Sequence, residues 1–129
     1  MPTPSPEGRQ PTVLLVEDDE AVRLGMAETL AREGYLVLNA ASGHDAIGVV
    51  ESAADPIDVV LLDVHLPDVS GVDLCARLRE VAPGLPVVVC SGEAESAEVA
   101  RLLELGVRRY FQKPISPDEL LAAVEAALP

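Results

Sequence analysis

Apolar residues gather into five short runs along the chain: VLLV at 13–16, YLVL at 35–38, DVVLL at 58–62, VVVC at 87–90 and RRYF at 108–111. Each is followed by a polar break and then by a segment whose apolar positions recur with the helical period. The cores of the first, third and fourth runs are unbroken Val, Leu and Cys, as expected of strands covered on both faces of a parallel sheet. Helix punctuation agrees. Ser42 stands three residues before Asp45, Ser70 before Asp73 and Ser116 before Glu119, each at capping-box spacing. Pro117 falls just inside the last of these starts, where a missing N–H does no harm. Gly34 and Gly106 close the segments before them as left-handed C-caps. Val22, Met26 and Leu30 are the expected apolar stripe of the first helix, and Leu120, Leu121, Val124 and Leu128 that of the last. Five successive βα units predict an open, doubly wound α/β sheet over residues 12–128.

Residues 1–11 break the pattern. They hold four prolines with Ser5 and Gly8, and read as a flexible leader or the remnant of a linker. The length of 129 residues suits one domain with a real core. No apolar run reaches the roughly 18 residues of a membrane span, and the N-terminus has no signal-peptide core, so a cytoplasmic protein is expected. Cys75 and Cys90 lie in apolar surroundings and read as small buried hydrophobes. The formal charge is −13, from 22 acidic and 9 basic residues. Such a surface repels duplex phosphates, and with no Trp and only Tyr35, Tyr110 and Phe111 there are no rings for single-stranded bases to stack on. Nucleic acid is excluded as a partner.

In doubly wound sheets, ligands sit beyond the carboxyl ends of the strands. Four runs end there in chemistry: Glu17-Asp18-Asp19-Glu20 after the first, Asp63 after the third, Ser91 after the fourth and Lys113, the only lysine, after the fifth. The second contributes Asn39-Ala40, in keeping with a marginal strand. Taken singly, each has a plain reading. Asp19 and Glu20 read best as a helix cap and first turn, Asp63 as a turn-former, Ser91 as a cap and Lys113 as a surface charge. Their joint placement at four strand ends favours a site. Clustered carboxylates without Cys or His suit Mg2+, with Mn2+ as a substitute. A hard dication beside one lysine and one hydroxyl suits a transferring phosphoryl group, with a carboxylate as nucleophile.

The motifs LLVEDDE (14–20), LLDVHLPDVSG (61–71), VVVCSG (87–92) and YFQKPIS (110–116) together resemble the receiver domain of bacterial two-component response regulators. The resemblance implies a flavodoxin-like fold with strand order 2-1-3-4-5. It implies a phosphoacceptor, Asp63, which takes a phosphoryl group from a histidine kinase or histidine phosphotransfer protein. Asp18 would bind the metal directly, Glu17 largely through a metal-bound water, and His65 through its backbone carbonyl. Ser91 and Lys113 would each hold a phosphoryl oxygen, and the Lys113–Pro114 bond would be cis. Ser91 and Tyr110 would be the switch pair, signalling through the face of the fourth helix, fifth strand and fifth helix, roughly residues 94–128. Kinase specificity would lie on the first helix, around Ala21 and Met26.

Two positions depart from the family's usual pattern: His65, two residues after the acceptor, and Gly92, where Ala is usual. His65 and Glu93 are expected to tune the lifetime of the phosphoaspartate. Such a protein is not a turnover enzyme, although it would catalyse its own phosphorylation and dephosphorylation. The alternative is a metal-dependent phosphohydrolase with an Asp nucleophile, which usually needs a second acid where this chain has His65. The chain closes directly after its last expected helix, as in a single-domain regulator or the C-terminal receiver of a hybrid kinase, with the downstream partner unknown.

Overall fold

The computed structural model describes residues 10–54, 56–92 and 96–128. Strands and helices alternate: β1 Thr12–Val16, α1 Glu20–Arg32, β2 Leu36–Ala40, α2 Gly43–Ser52, β3 Val59–Asp63, α3 Gly71–Val81, β4 Val87–Ser91, α4 Ser96–Glu104, β5 Arg109–Gln112 and α5 Pro117–Ala127. The strands form one parallel sheet in the order β2-β1-β3-β4-β5. This is the flavodoxin-like order, as expected.

Every residue of β1, β3 and β4 is buried, because helices cover both faces of the sheet's centre. Side chains alternate between two cores. Leu14, Val16, Val60, Leu62, Val87 and Val89 pack with residues of α2, α3 and α4 on one face. Val13, Leu15, Val59, Leu61, Val88 and Cys90 pack with α1 and α5 on the other. Each fully buried Val or Leu contributes roughly 1.5–3 kcal/mol relative to exposure. The edge strands β2 and β5 are only partly covered.

The sequence signals act where they were read. Ser42, Ser70 and Ser116 accept the amides of Asp45, Asp73 and Glu119, and Ser116 and Glu119 complete a reciprocal capping box. Gly34 and Gly106 have φ of 98° and 87°, the left-handed region that glycine occupies without cost. Both cysteines are buried, and burial pushes each thiol up to about 12.

Two expectations need correction. Val22 does not join Met26 and Leu30 in packing on the sheet; it is 39% exposed. Glu20 and Ala21 beside it in the first turn of α1 are exposed as well, and burial on this helix is complete only at Leu30, so the first turn has no core to face. Pro11, assigned to the leader, is buried, and its carbonyl accepts the Leu36 amide at 2.9 Å. The sheet margin therefore starts there, while residues 1–9 lie outside the described residues. Among the described residues no helix is long and apolar enough to cross a membrane.

Candidate functional site

The acidic run after β1 divides between two jobs. The Glu17 amide donates to the Ala40 carbonyl at 3.0 Å, continuing the β1–β2 ladder one residue past the strand, and Glu17 is buried at 2% exposure. Asp18 and Asp19 are exposed. Asp19 is the N-cap of α1, accepting the Val22 amide at 3.0 Å, and Glu20 opens the first turn, where the helix dipole favours a negative charge. The plain reading of Asp19 and Glu20 holds.

Asp63 is the last residue of β3 and is 7% exposed. Its Oδ1 accepts the His65 amide at 3.1 Å. The loop beyond it is tied down at short range. The Gly71 amide donates to the Val64 carbonyl at 3.0 Å, and His65 bridges to Ser70. A Cβ on Gly71 would lie 2.9 Å from the Val64 Cα, so only glycine permits this approach. Gly43 is similar: a Cβ there would meet a Val69 methyl at 2.1 Å. Asp68, on the same loop, reaches α2 and accepts the amides of Gly43 and His44.

Lys113 enters from the far side. Its amide donates to the Ser91 carbonyl at 2.8 Å, which carries the β4–β5 pairing past Gln112 and turns the lysine towards β3. Its Nζ donates to Glu17 Oε1 and, at 3.3 Å, to Asp63 Oδ2. Burial favours loss of the lysine proton. The hydrogen bond to Glu17 and the charges of Asp63 and Glu17 outweigh it, so the ammonium is held above the ordinary lysine range. Cys90 lies just below; burial dominates its shift, with Asp63 and Glu17 adding and Lys113 opposing.

Ligand oxygens of Glu17, Asp18 and Asp63 all lie within 4.8 Å of one another. One ammonium against three carboxylates leaves an excess of negative charge, and every donor is an oxygen. That set fits a hard divalent cation.

Sequence reasoning thus named four residues the fold brings together: Glu17, Asp18, Asp63 and Lys113. Ser91 ends β4 beside them with 0% exposure. The His65 amide faces Asp63, while its side chain is exposed. Tyr110 is half-buried on β5, packed against the core that α2, α3 and α4 cover. The Lys113–Pro114 peptide bond is cis. Glu93 lies outside the described residues. Two residues were missed. Asp68 was unremarkable in sequence because its targets lie 24 and 25 residues away. Arg23, whose Nη1 donates to the Glu17 carbonyl at 2.9 Å, could have been suspected from its place one helical turn after the acidic run.

Fold and site together define a doubly wound α/β domain with an acidic, lysine-bridged centre at the carboxyl edge of its sheet. Residues 13–125 match the family model described as the response regulator receiver domain. The chain belongs to that family, the receiver domains of two-component systems. It is 37% identical over 117 residues to sensor kinase CckA of Brucella abortus, covering 91% of this chain and 12% of that protein. It is 35% identical over 116 residues to response regulator MprA of Mycolicibacterium vanbaalenii, covering 90% of this chain and 49% of that protein. The chain therefore spans half or less of the length of these relatives. Among solved structures, it superposes on a CheY-like receiver domain protein from Methanospirillum hungatei with TM-score 0.86 and 27% identity, covering 91% and 92% of the two chains. The non-phosphorylated HemR receiver domain from Leptospira biflexa gives 0.83 and 31%, covering 92% and 94%. Receiver domains are phosphoacceptors that work with histidine kinases or phosphotransfer proteins rather than enzymes on a metabolite.

Proposed function

We propose that Asp63 accepts the phosphoryl group. The observation that carries this reading is the placement of the Lys113 ammonium, which bonds both Glu17 and Asp63 at the edge of the sheet. A carboxylate oxygen of Asp63 attacks the phosphorus of a phosphohistidine on a kinase or phosphotransfer protein. The P–N bond breaks, and the imidazole leaves and takes up a proton. Asp63 sits at a strand end, held by the His65 amide, so its nucleophilic oxygen needs little reorientation. Lys113 is a compact charge beside the acceptor, able to pair with a phosphoryl oxygen as negative charge accumulates.

Glu17, Asp18 and Asp63 would hold Mg2+ (or Mn2+), with the His65 carbonyl as a further donor. When bound, the dication neutralises phosphoryl oxygens that lysine alone cannot. Ser91 is fully buried in this state, so its hydroxyl meets the new phosphoryl group through a shift of the loop after β4. Tyr110 follows it, and the α4–β5–α5 face carries the signal to a protein partner that this chain docks to. His65 and Glu93 set the lifetime of the phosphoaspartate. The domain takes in Pro11 as well as residues 12–128, and it works in the cytoplasm. Similarity to both a sensor kinase and a response regulator supports either setting for it, as the receiver of a hybrid kinase or of a response regulator.

The test is incubation with acetyl phosphate or phosphoramidate, with and without Mg2+, read by intact mass. Wild type should gain one phosphoryl group only with Mg2+, and Asp63→Asn none. Phosphorylation of Asp63→Asn to the wild-type extent would remove Asp63 from the role. Dephosphorylation of His65→Ala at the wild-type rate would remove His65 from control of lifetime.

A further inference from the structure

The three carboxylates of the cluster are not held alike. Glu17 is fixed by Lys113 and by the Asp19 amide at 3.2 Å. Asp63 is fixed by Lys113 and the His65 amide. Asp18 is exposed, and among the described residues no donor bonds its carboxylate. Its position rests on its backbone.

That backbone is held on both sides: after Asp18 by the Asp19 amide, which donates to Glu17 Oε2 at 3.2 Å, and before it at the Glu17 carbonyl. The peptide unit joining Glu17 to Asp18 is planar, so a hydrogen bond to the Glu17 carbonyl sets the direction of the Asp18 N–H and the place of its Cα as well. The Glu17 carbonyl lies two residues before the N-cap, outside the ladder of α1, and among the described residues no amide of that helix donates to it. Arg23 serves it instead, through Nη1 at 2.9 Å. Arg23 is itself placed by the first turn, its amide donating to the Asp19 carbonyl at 2.9 Å. One turn of helix thus folds back to clamp the loop that precedes it.

Resting on the divalent-cation reading of the cluster, we propose that Arg23 is a positioning residue for the cation: it fixes the Glu17–Asp18 peptide and so holds the Asp18 carboxylate beside Glu17 and Asp63. The guanidinium has a second effect of opposite sign. It brings a permanent positive charge near the cluster, which by itself weakens attraction for a dication. Removing Arg23 therefore separates the two. Loss of positioning weakens metal binding, whereas loss of charge alone strengthens it.

The experiment is a Mn2+ titration followed by the EPR signal of free ion, with Mg2+ by competition. It uses wild type, Arg23→Ala, Arg23→Lys, Asp18→Asn and the Arg23→Ala/Asp18→Asn pair, at one ionic strength. Arg23→Ala should bind Mn2+ about tenfold more weakly, the lower end of the loss seen when a group orienting a metal ligand is removed. Arg23→Lys, which keeps a donor and the charge but not the planar fork, should recover part of this. In the Asp18→Asn background, Arg23→Ala should have little further effect, because the two act through one carboxylate. A purely structural arginine would not show that dependence. Binding by Arg23→Ala as tight as wild type, or tighter, overturns the inference, as does full additivity in the pair. If Arg23→Ala does not fold, Arg23→Lys decides: weaker binding supports positioning, and wild-type binding overturns it. If wild type itself binds no Mn2+, the cation reading falls and takes this inference with it. If wild type binds and Asp18→Asn binds weakly while Arg23→Ala is unchanged, only this inference falls.

Discussion

The carboxylate of Asp68 accepts the backbone amide of His44 at 2.8 Å, across 24 residues of chain. Its other oxygen accepts the Gly43 amide at 2.9 Å, so a residue of the β3–α3 loop caps the start of α2 from outside the helix. The two amide bonds hold the Asp68 carboxyl below its ordinary value of 3.8. A depressed carboxyl stabilises the fold at pH above its unfolded value, and the contribution is lost as pH falls through the folded value. Asp68→Ala should therefore lower Tm by a constant amount above about pH 5, a unit clear of the unfolded value. The difference from wild type should shrink in more acidic buffer. Circular dichroism melts across this range check it, and a difference that persists unchanged at the acid end would count against the cap.

Arg79 is a second long-range tie. Its guanidinium donates to the carbonyls of Pro83, Leu85, Leu105 and Gly106, joining the end of α3 to the α3–β4 and α4–β5 turns. Arg79→Ala should cost about 2 kcal/mol, since the Leu85 and Leu105 carbonyls lose a charged donor at partly buried positions. Arg79→Lys should recover less than half, because an ammonium cannot span this fork. Urea midpoints measure both.

Glycines supply a test with two signs. Gly71→Ala pushes a Cβ to 2.9 Å from the Val64 backbone, next to Asp63. It should destabilise by about 1–3 kcal/mol as overpacking, and it should slow Asp63 phosphorylation by displacing the loop. Gly48 lies in α2 with nothing within 4 Å of an added Cβ. Gly48→Ala should stabilise by about 0.5–1 kcal/mol through helix propensity. Thermal melts and a phosphorylation time course distinguish the two positions.

Lys113 should make stability depend on pH at the alkaline end. Its folded pKa lies above the ordinary 10.5, so its contribution is complete below that value and is lost as pH rises through the folded value. The gap in urea midpoint between wild type and Lys113→Ala should be widest near neutrality and narrow above pH 10.5. Removing the ammonium leaves Glu17 and Asp63 facing each other uncompensated. Added Mg2+ should then restore more stability to Lys113→Ala than it adds to wild type.

Local physics made much of the molecule legible in its sequence. Unbroken apolar runs specify buried strands, and Ser-x-x-acid spacings specify helix starts, because these preferences act over one or two turns of chain. Sequence alone also placed Glu17, Asp18, Asp63 and Lys113 at strand ends, since a doubly wound sheet sends every strand's carboxyl end to one edge. Val22 shows where the same reasoning stops. Its helical spacing matched a stripe, but whether a core lies beneath that turn depends on how far α1 overhangs β1. Only the tertiary structure decided that one lysine bonds two carboxylates 96 and 50 residues away. The cap at Asp19 was legible already, but only the tertiary structure buried Glu17, left Asp18 with no donor among the described residues, and set Arg23 against the Glu17 carbonyl. Those are matters of distance and burial between separate elements, and they arise only when the sheet has closed and its loops share one edge.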